Sequence, residues 1–286
     1  MNCPICGTNT GFHDYLNWDG NQWCRCVSCG GGHKEPYTPE VEDEDLTAQN
    51  YDTSYFESAF GQRRWQFAAN QARWLHQHYR DGMAVLEIGP GLGLAAERFL
   101  QTAPPGTVYH VVEPHPSFSA HISERQAGRV VVHSGDPTSA LEEALAATCA
   151  NGQHVLFYMD NVLEHLAYPR DYFIRLKSAL PSGSVALLDV PNERGLKSRC
   201  KVYRAIGAQP TAASAHINLF TSHAFHAMLG GLGLCHRVVQ RGIRRPEEVN
   251  CIPEGPALTA VLAFLRVVPV DTMLGLGNNL RVEVEF

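Results

Sequence analysis

The stretch Val85-Leu86-Glu87-Ile88-Gly89-Pro90-Gly91-Leu92-Gly93 decides how the chain is read. A short apolar run ends in a glycine-rich turn, and the turn opens onto residues 92–100, whose apolar spacing is helical. Glycines at such a turn let the backbone bend tightly and approach a ligand with no Cβ in the way. Glu113 closes the next apolar run, twenty residues after Gly93. A carboxylate at that place can accept hydrogen bonds from the hydroxyls of a ribose. Strand, glycine turn, helix and an acid ending the next strand together point to a nucleoside site.

Working outward, strands and helices alternate. Residues 83–88, 107–113, 130–133, 154–159 and 184–190 read as strands, with helices at 92–100, 117–126, 138–148 and 170–180 between them. An irregular insert at 192–220 follows, then a helix at 221–230 and two late strands at 234–240 and 258–268. Upstream, Trp65, Ala68, Ala69, Ala72, Leu75 and Tyr79 recur at helical spacing, which predicts a helix over 62–80. The alternation predicts an α/β fold, a doubly wound and mostly parallel seven-stranded sheet of Rossmann-like form. With a loop between them, the last two strands fit an antiparallel hairpin at the sheet edge.

The N-terminus has a different character. Of nine cysteines, five lie in the first 29 residues: Cys3, Cys6, Cys24, Cys26 and Cys29. Cys3-Pro-Ile-Cys6 and Cys26-Val-Ser-Cys29 are two C-x-x-C knuckles, each followed by glycine. Their four thiolates, from Cys3, Cys6, Cys26 and Cys29, can close a tetrahedral Zn²⁺ site with no open position. Tyr15, Trp18 and Trp23 between the knuckles suit a small β-rich ribbon that needs its metal to fold. Cys24 and His33 are the competing ligands. A redox pair would need one C-x-x-C, and a disulfide framework belongs to short secreted chains. Residues 1–35 are therefore read as a zinc ribbon. Residues 30–50 are rich in glycine, proline and acid, so 36–60 are read as a linker, and 61–286 as the α/β domain.

Composition sets outer limits. A chain of 286 residues allows one large domain plus a small module, or two modest domains. A net charge of −6 argues against a protein that mainly grips a phosphate backbone. No apolar run reaches the ~18–20 residues of a membrane span; the longest, 258–270, is interrupted by Arg266. The first residues lack a basic segment followed by an apolar one, so no secretory signal is read and the cytoplasm is the expected location.

The nucleoside can be narrowed. A nicotinamide fold carries G-x-G-x-x-G, whereas this chain has G-x-G-x-G and Leu94. Glu87 stands two residues before the first glycine. An anion there repels a pyrophosphate and suits a ligand bearing an amino group and a sulfonium.

The run E-x-G-x-G-x-G, with an acid closing the next strand, resembles the class I S-adenosylmethionine-dependent methyltransferases. Later segments add to the resemblance in the right order over roughly residues 51–268. They are Ser134-Gly135-Asp136, Met159-Asp160-Asn161-Val162-Leu163-Glu164-His165-Leu166 and Leu176-Lys177-Ser178-Ala179-Leu180-Pro181-Ser182-Gly183-Ser184. Val190-Pro191-Asn192 and His216-Ile217-Asn218-Leu219-Phe220-Thr221 complete the series. Zinc-ribbon methyltransferases of sugar and secondary metabolism are the most similar branch. They too place two C-x-x-C knuckles before a Tyr-x-x-x-Tyr-Phe segment, here Tyr51 to Tyr55-Phe56.

The resemblance implies roles. Gly89, Gly91 and Gly93 line the methionine and ribose moieties, and Glu87 lies near the methionine amino group. Glu113 holds the ribose hydroxyls and Asp136 the adenine amino group. Asn161 and Tyr55 lie beside the cofactor. Glu164 and His165 are the candidate base or acceptor contact, because methyl transfer to oxygen or carbon needs a proton acceptor and histidine titrates in the right range. In a branch acting on quinone precursors, an E-x-x-E-H segment binds a divalent metal; Asn161 replaces its first acid here. The alternative role for the pair is packing of the following turn. His216 reaches toward the acceptor or orients the next helix.

The insert 192–220 reads as a substrate lid. Arg194, Lys197, Arg199, Lys201 and Arg204 within it suit an anionic small-molecule acceptor, or else form a solvated face. Arg237, Arg241, Arg244 and Arg245 read as surface. The competing functions are an RNA methyltransferase whose ribbon reads nucleic acid, a peptide or protein methyltransferase, and a nicotinamide oxidoreductase. Acidic balance and the lack of an Asn/Asp-Pro-Pro-aromatic motif after the fourth strand argue against the first. The glycine spacing and Glu87 argue against the last. Oxygen, carbon or nitrogen as the methylated atom, and the oligomeric state, are not read from the sequence.

Overall fold

A computed structural model describes residues 2–18, 21–35, 59–126, 128–195, 216–241, 260, 263 and 277–286. The chain divides into two compact units, neither contiguous in sequence. One comprises Met1–Pro39, Leu163–Asp171 and Leu188–Val282; the other comprises Glu40–Val162, Tyr172–Leu187 and Glu283–Phe286.

The unit that begins at Met1 opens with β1 (Phe12–Trp18), β2 (Asn21–Cys26) and β3 (Gly32–Glu35). The first knuckle precedes β1 and the second starts at the last residue of β2, and together they bring the four cysteines into one cluster. β9 (Asn218–Leu219) joins from nearly two hundred residues downstream, giving an antiparallel sheet of order β1-β2-β3-β9. Its small core is Trp23, fully buried against Leu219 with Tyr15 beside it. Gly32 is required here by close approach: a Cβ would meet Leu219 Cδ1 at 2.9 Å.

The other unit carries the doubly wound part. α1 (Ala59–His78) precedes β4 (Ala84–Ile88), α2 (Leu94–Leu100), β5 (Tyr109–Glu113), α3 (Pro116–Arg125) and β6 (Val130–Ser134). α4 (Leu141–Thr148) and β7 (Val155–Asp160) follow. β4 pairs in parallel with β5 and with β7, and β5 in parallel with β6. Every residue of β4 and β5 is buried, as expected for strands covered on both faces. On one face Trp74, Leu75, Phe99, Tyr109 and Tyr158 form the core. Phe99 is its centre, stacked on His76 at 4.4 Å between ring centroids and edge-on to Tyr79 at 5.3 Å.

α5 (Pro169–Ala179), β8 (Val185–Pro191), α6 (Ser222–Gly231), β10 (Cys235–Arg241) and β11 (Asn279–Glu285) complete the elements. The seven-stranded order is β10-β11-β8-β7-β4-β5-β6. β11 runs antiparallel to β8, because Asn192 N donates to Asn278 O at one end and Phe286 N to Ser184 O at the other. The sheet is therefore mixed. Asp189 on β8, almost fully buried, accepts from Asn279 Nδ2 (2.7 Å), Arg281 Nε (3.1 Å) and Arg241 Nη1 (3.4 Å). Arg241 thus serves the sheet rather than a surface patch.

The seventh strand differs from the expected one. Of the stretch 258–268, only Ala260 and Ala263 are described, and both are helical. The strand is instead Asn279–Glu285, where Leu280, Val282 and Val284 are buried and their neighbours are not. A continuous apolar run cannot be told from a buried helix by periodicity, whereas strict alternation marks a strand. β11 lies between β10 and β8, and β10 takes the edge.

Candidate active site

The glycine turn follows β4. Gly89, Gly91 and Gly93 all have positive φ, at 66°, 57° and 67°, so three residues of the left-handed region alternate along the turn. Side-chain-bearing residues pay steeply for that conformation. Their surroundings differ. A Cβ on Gly89 would meet Val162 Cγ2 at 2.7 Å and one on Gly93 would meet Ile122 Cγ1 at 3.0 Å, whereas one on Gly91 would meet nothing within 4 Å. Gly89 and Gly93 are packing glycines; Gly91 faces open space.

Carboxylates gather at the carboxyl ends of the central strands. Glu113, at the end of β5, accepts from Gly91 N (3.0 Å) and from His115 N (2.9 Å), one on each oxygen. Burial pushes its pKa up to about 7, against the pull of those two N–H groups. Glu87, within β4, accepts from Tyr109 Oη at 2.8 Å. Burial pushes its pKa up to about 8; the Tyr109 bond opposes this, and the charges of Asp160 and Glu113 add to it. Desolvation and like charge act in the same direction on a carboxyl group. The cleft therefore favours a cation or a hydrogen-bond donor over an anion.

Asp160 was not singled out in the sequence. It ends β7, faces Glu87 electrostatically, and accepts from Gln71 of α1 and from Asn161 Nδ2 (2.7 Å). Its signal was present, as an acid closing the fourth parallel strand. Tyr109 and Gln71 had none, being one aromatic in an apolar strand and one polar residue on a helix.

Asn161 has φ of 54°, the one non-glycine in the left-handed region among the described residues. Asparagine tolerates that region better than most residues, and such positions cluster at functional turns. Asp136 is exposed, and its Oδ1 accepts from Thr138 N (2.7 Å) and Ser139 N (3.1 Å). It closes a local turn, with a second oxygen outside those two bonds. Tyr55 lies outside the described residues, as do Lys197, Arg199, Lys201 and Arg204 of the insert.

In the unit that begins at Met1, Glu164, His165 and His216 come together. Leu163–His165 is a single 3-10 turn that follows Asn161 and Val162 along the chain. His216 Nε2 lies 3.8 Å from Glu164 Oε1, and the rings of His165 and His216 meet edge-on with centroids 4.9 Å apart. One donor atom from each residue lies within 4.8 Å of the others. Glu164 is buried, while both histidines are partly accessible. Fifty residues lie between His165 and His216, so no local pattern announced this pairing.

The sulfurs of Cys3, Cys6, Cys26 and Cys29 form a second cluster, all buried. Cys3 Sγ is 3.9 Å from Cys29 Sγ, and Cys6 Sγ is 3.8 Å from Cys26 Sγ. A tetrahedral Zn²⁺ with bonds of ~2.3 Å separates its sulfurs by about 3.8 Å. Cys24 stands apart, 3.6 Å from Glu35 Oε2 and 3.9 Å from Asp14 Oδ1. His33 contacts Asn218.

An open, mostly parallel sheet with a glycine turn after one central strand and carboxylates ending its neighbours is the fold of a class I methyltransferase. A family described as methyltransferase domain matches residues 59–236, more than half of the chain, and the chain belongs to that family. No curated protein matches it in sequence. Among solved structures, it is similar to the plantazolicin methyltransferase BamL in complex with a triazolic desmethylPZN analog and SAH. The identity is 10%, with 86% of this chain and 96% of that chain covered and a TM-score of 0.51. It is also similar to the plantazolicin methyltransferase BpumL in complex with a monoazolic desmethylPZN analog and SAH. There the identity is 10%, the coverage 86% and 91%, and the TM-score 0.50. At such identities the likeness is one of fold. Among the described residues no helix is long and apolar enough to cross a membrane.

The buried Glu87 gives the site a pH signature. Its pKa is higher folded than unfolded, so the folded protein keeps a proton that the unfolded chain releases. Stability from this group is therefore lost as pH rises from about 4.5 through about 8. Glu87→Gln removes that loss. The stability difference, variant minus wild type, is expected to grow across this interval in urea unfolding of ligand-free protein. A difference independent of pH would contradict the assignment.

Proposed function

We propose that this chain transfers a methyl group from S-adenosylmethionine to a small-molecule acceptor, a sugar nucleotide or a secondary-metabolite intermediate, at oxygen or carbon. The observation that carries the reading is the turn after β4: three alternating left-handed glycines, one facing open space, beside the carboxyl groups of Glu87 and Glu113. The family match supports the reaction class. Plantazolicin methyltransferases of similar fold contain SAH in their structures, which supports the cofactor.

S-Adenosylmethionine, when bound, supplies an electrophilic methyl group on a sulfonium. In this reading Gly91 leaves room for it, and free lone pairs on the Glu113 carboxylate accept from the ribose hydroxyls. Glu87 and Asp160 offer carboxyl groups where an ammonium and a sulfonium would be held, and a bound cation would favour the ionised form of Glu87. Asp136 would offer its second oxygen to the adenine amino group, and Asn161 completes the wall. His165 would take the proton that the acceptor oxygen or carbon gives up, and Glu164 and His216 would hold its imidazole and the resulting charge. An anionic acceptor suits the basic insert.

We take the four clustered cysteines to hold a structural Zn²⁺. The sulfur separations support this, and four thiolates leave the ion no open position for chemistry. The ribbon is a support for the acceptor-side residues rather than a reader of nucleic acid.

Calorimetry with S-adenosylhomocysteine is expected to give binding near the micromolar range, with none for NAD⁺ or NADH. Glu113→Ala is expected to weaken it by roughly 10–100-fold, the loss of a charge-assisted bond. Wild-type affinity in that variant removes the ribose assignment. His165→Ala should leave S-adenosylhomocysteine binding intact and slow turnover of a methylated acceptor by about 10²–10⁴-fold; unchanged turnover returns the residue to a packing role. Elemental analysis should find one zinc per chain, lost on Cys26→Ser and kept on Cys24→Ser. The reverse pattern would reassign the fourth ligand.

A further inference from the structure

Two hydrogen-bonded paths run from the ribbon to the Glu164–His165–His216 cluster. In the first, Lys34 N donates to Ile217 O at 2.9 Å, and Ile217 N donates to Glu164 O at 2.9 Å. In the second, the side chain of Asn218 lies between His33 and Leu166. Its Nδ2 donates to Leu166 O at 2.5 Å, and its Oδ1 lies 3.1 Å from His33 Nδ1. The paths end on residues 164 and 166, on either side of His165. They pass through residues 217 and 218, directly after His216.

The chemistry of the second path fixes its proton. A backbone carbonyl only accepts, so the amide nitrogen of Asn218 must face Leu166. Its oxygen then faces His33, and His33 must carry hydrogen on Nδ1 to donate. Asn218 is 1% exposed, so each of these bonds is made away from solvent, where an unmade bond is costly. The close approach of β3 to β9 permits the arrangement, since Gly32 lies against Leu219 with no room for a Cβ.

We propose that His33 and Asn218 are positioning residues, through which the third strand of the ribbon sets the geometry of Glu164, His165 and His216. The ribbon is then part of the acceptor-side apparatus and does more than stabilise the N-terminus. This rests on the reading above, in which that cluster meets the acceptor. What the pair itself does is to hold residues 164–166 and 216–218 in register. Removing the His33 donor frees the Asn218 amide to turn, and both flanks of His165 loosen.

The test uses the full, zinc-loaded chain and two substitutions. His33→Phe keeps a planar ring and removes the donor. His33→Asn places an amide nitrogen at the same distance along the side chain as Nδ1 and restores a donor. Histidine side-chain NMR follows the titration of His165 and His216 in each, and needs no acceptor. In His33→Phe the midpoint of at least one of the two is expected to move by about half a pH unit or more. In His33→Asn both are expected to return to the wild-type values. Zinc content and S-adenosylhomocysteine affinity are expected to match wild type in both variants. Unmoved midpoints in His33→Phe overturn the proposal. So do equal shifts in both variants, which would make the effect steric, and a shift that comes only with loss of zinc. If the midpoints behave as expected but His165→Ala turns over normally, the positioning stands and the catalytic reading of the cluster falls.

Discussion

The bidentate grip of Glu113 on the backbone is the constraint around which the unit with the glycine turn is arranged. One oxygen holds Gly91 N in the turn after β4, and the other holds His115 N at the start of α3. Two strand ends, a turn and a helix start are thereby tied to one carboxyl group that is almost fully buried. The turn can accept this only because Gly89, Gly91 and Gly93 each adopt positive φ. Burial pushes up the pKa values of both Glu87 and Glu113, and the charges of Asp160 and Glu113 add to the effect at Glu87, so a cationic ligand favours the ionised form of these carboxyl groups.

Much of this was legible in the sequence. The parallel strands announced themselves as short apolar runs separated by helical spacing, and every one lies within about two residues of its expected place. Glu87 was legible because a glycine turn fixes the end of its strand, and Glu113 because it closes the next apolar run. The last strand was not, because the apolar run near residue 260 outweighed the modest alternation of Leu280, Val282 and Val284. Asp160 closes the fourth parallel strand, a position that the sequence marks as plainly as it marks Asn161 beside it. Tyr109 and Gln71 act through packing and a single hydrogen bond, and carry no pattern of their own.

The N-terminal segment was legible in its cysteine cluster and illegible in its connections. C-x-x-C spacing is local and strong. The pairing of β3 with a two-residue strand at 218–219 is not, since neither partner has the length or alternation of an ordinary strand. The same holds for Glu164 with His216, which meet only because the chain returns. Tyr15 donates to Glu193, and Arg25 lies 3.5 Å over the Tyr15 ring, so the segment after β8 is also fastened to the ribbon by contacts that no linear motif encodes.

The two-residue strand β9 has a consequence for synthesis. The knuckles and β1 to β3 leave the ribosome within the first 35 residues, but the strand that completes their sheet is at residues 218–219. At roughly 5–20 residues per second, the open edge of β3 waits about 10–40 s for its partner. An unpaired edge is a template for wrong pairing during that interval. The nascent ribbon is protected by being short, and by the polar His33, Lys34 and Glu35 along the waiting strand. The order in which the chain emerges thus makes assembly of the Glu164–His165–His216 cluster a late event, set by the arrival of residues 216–219.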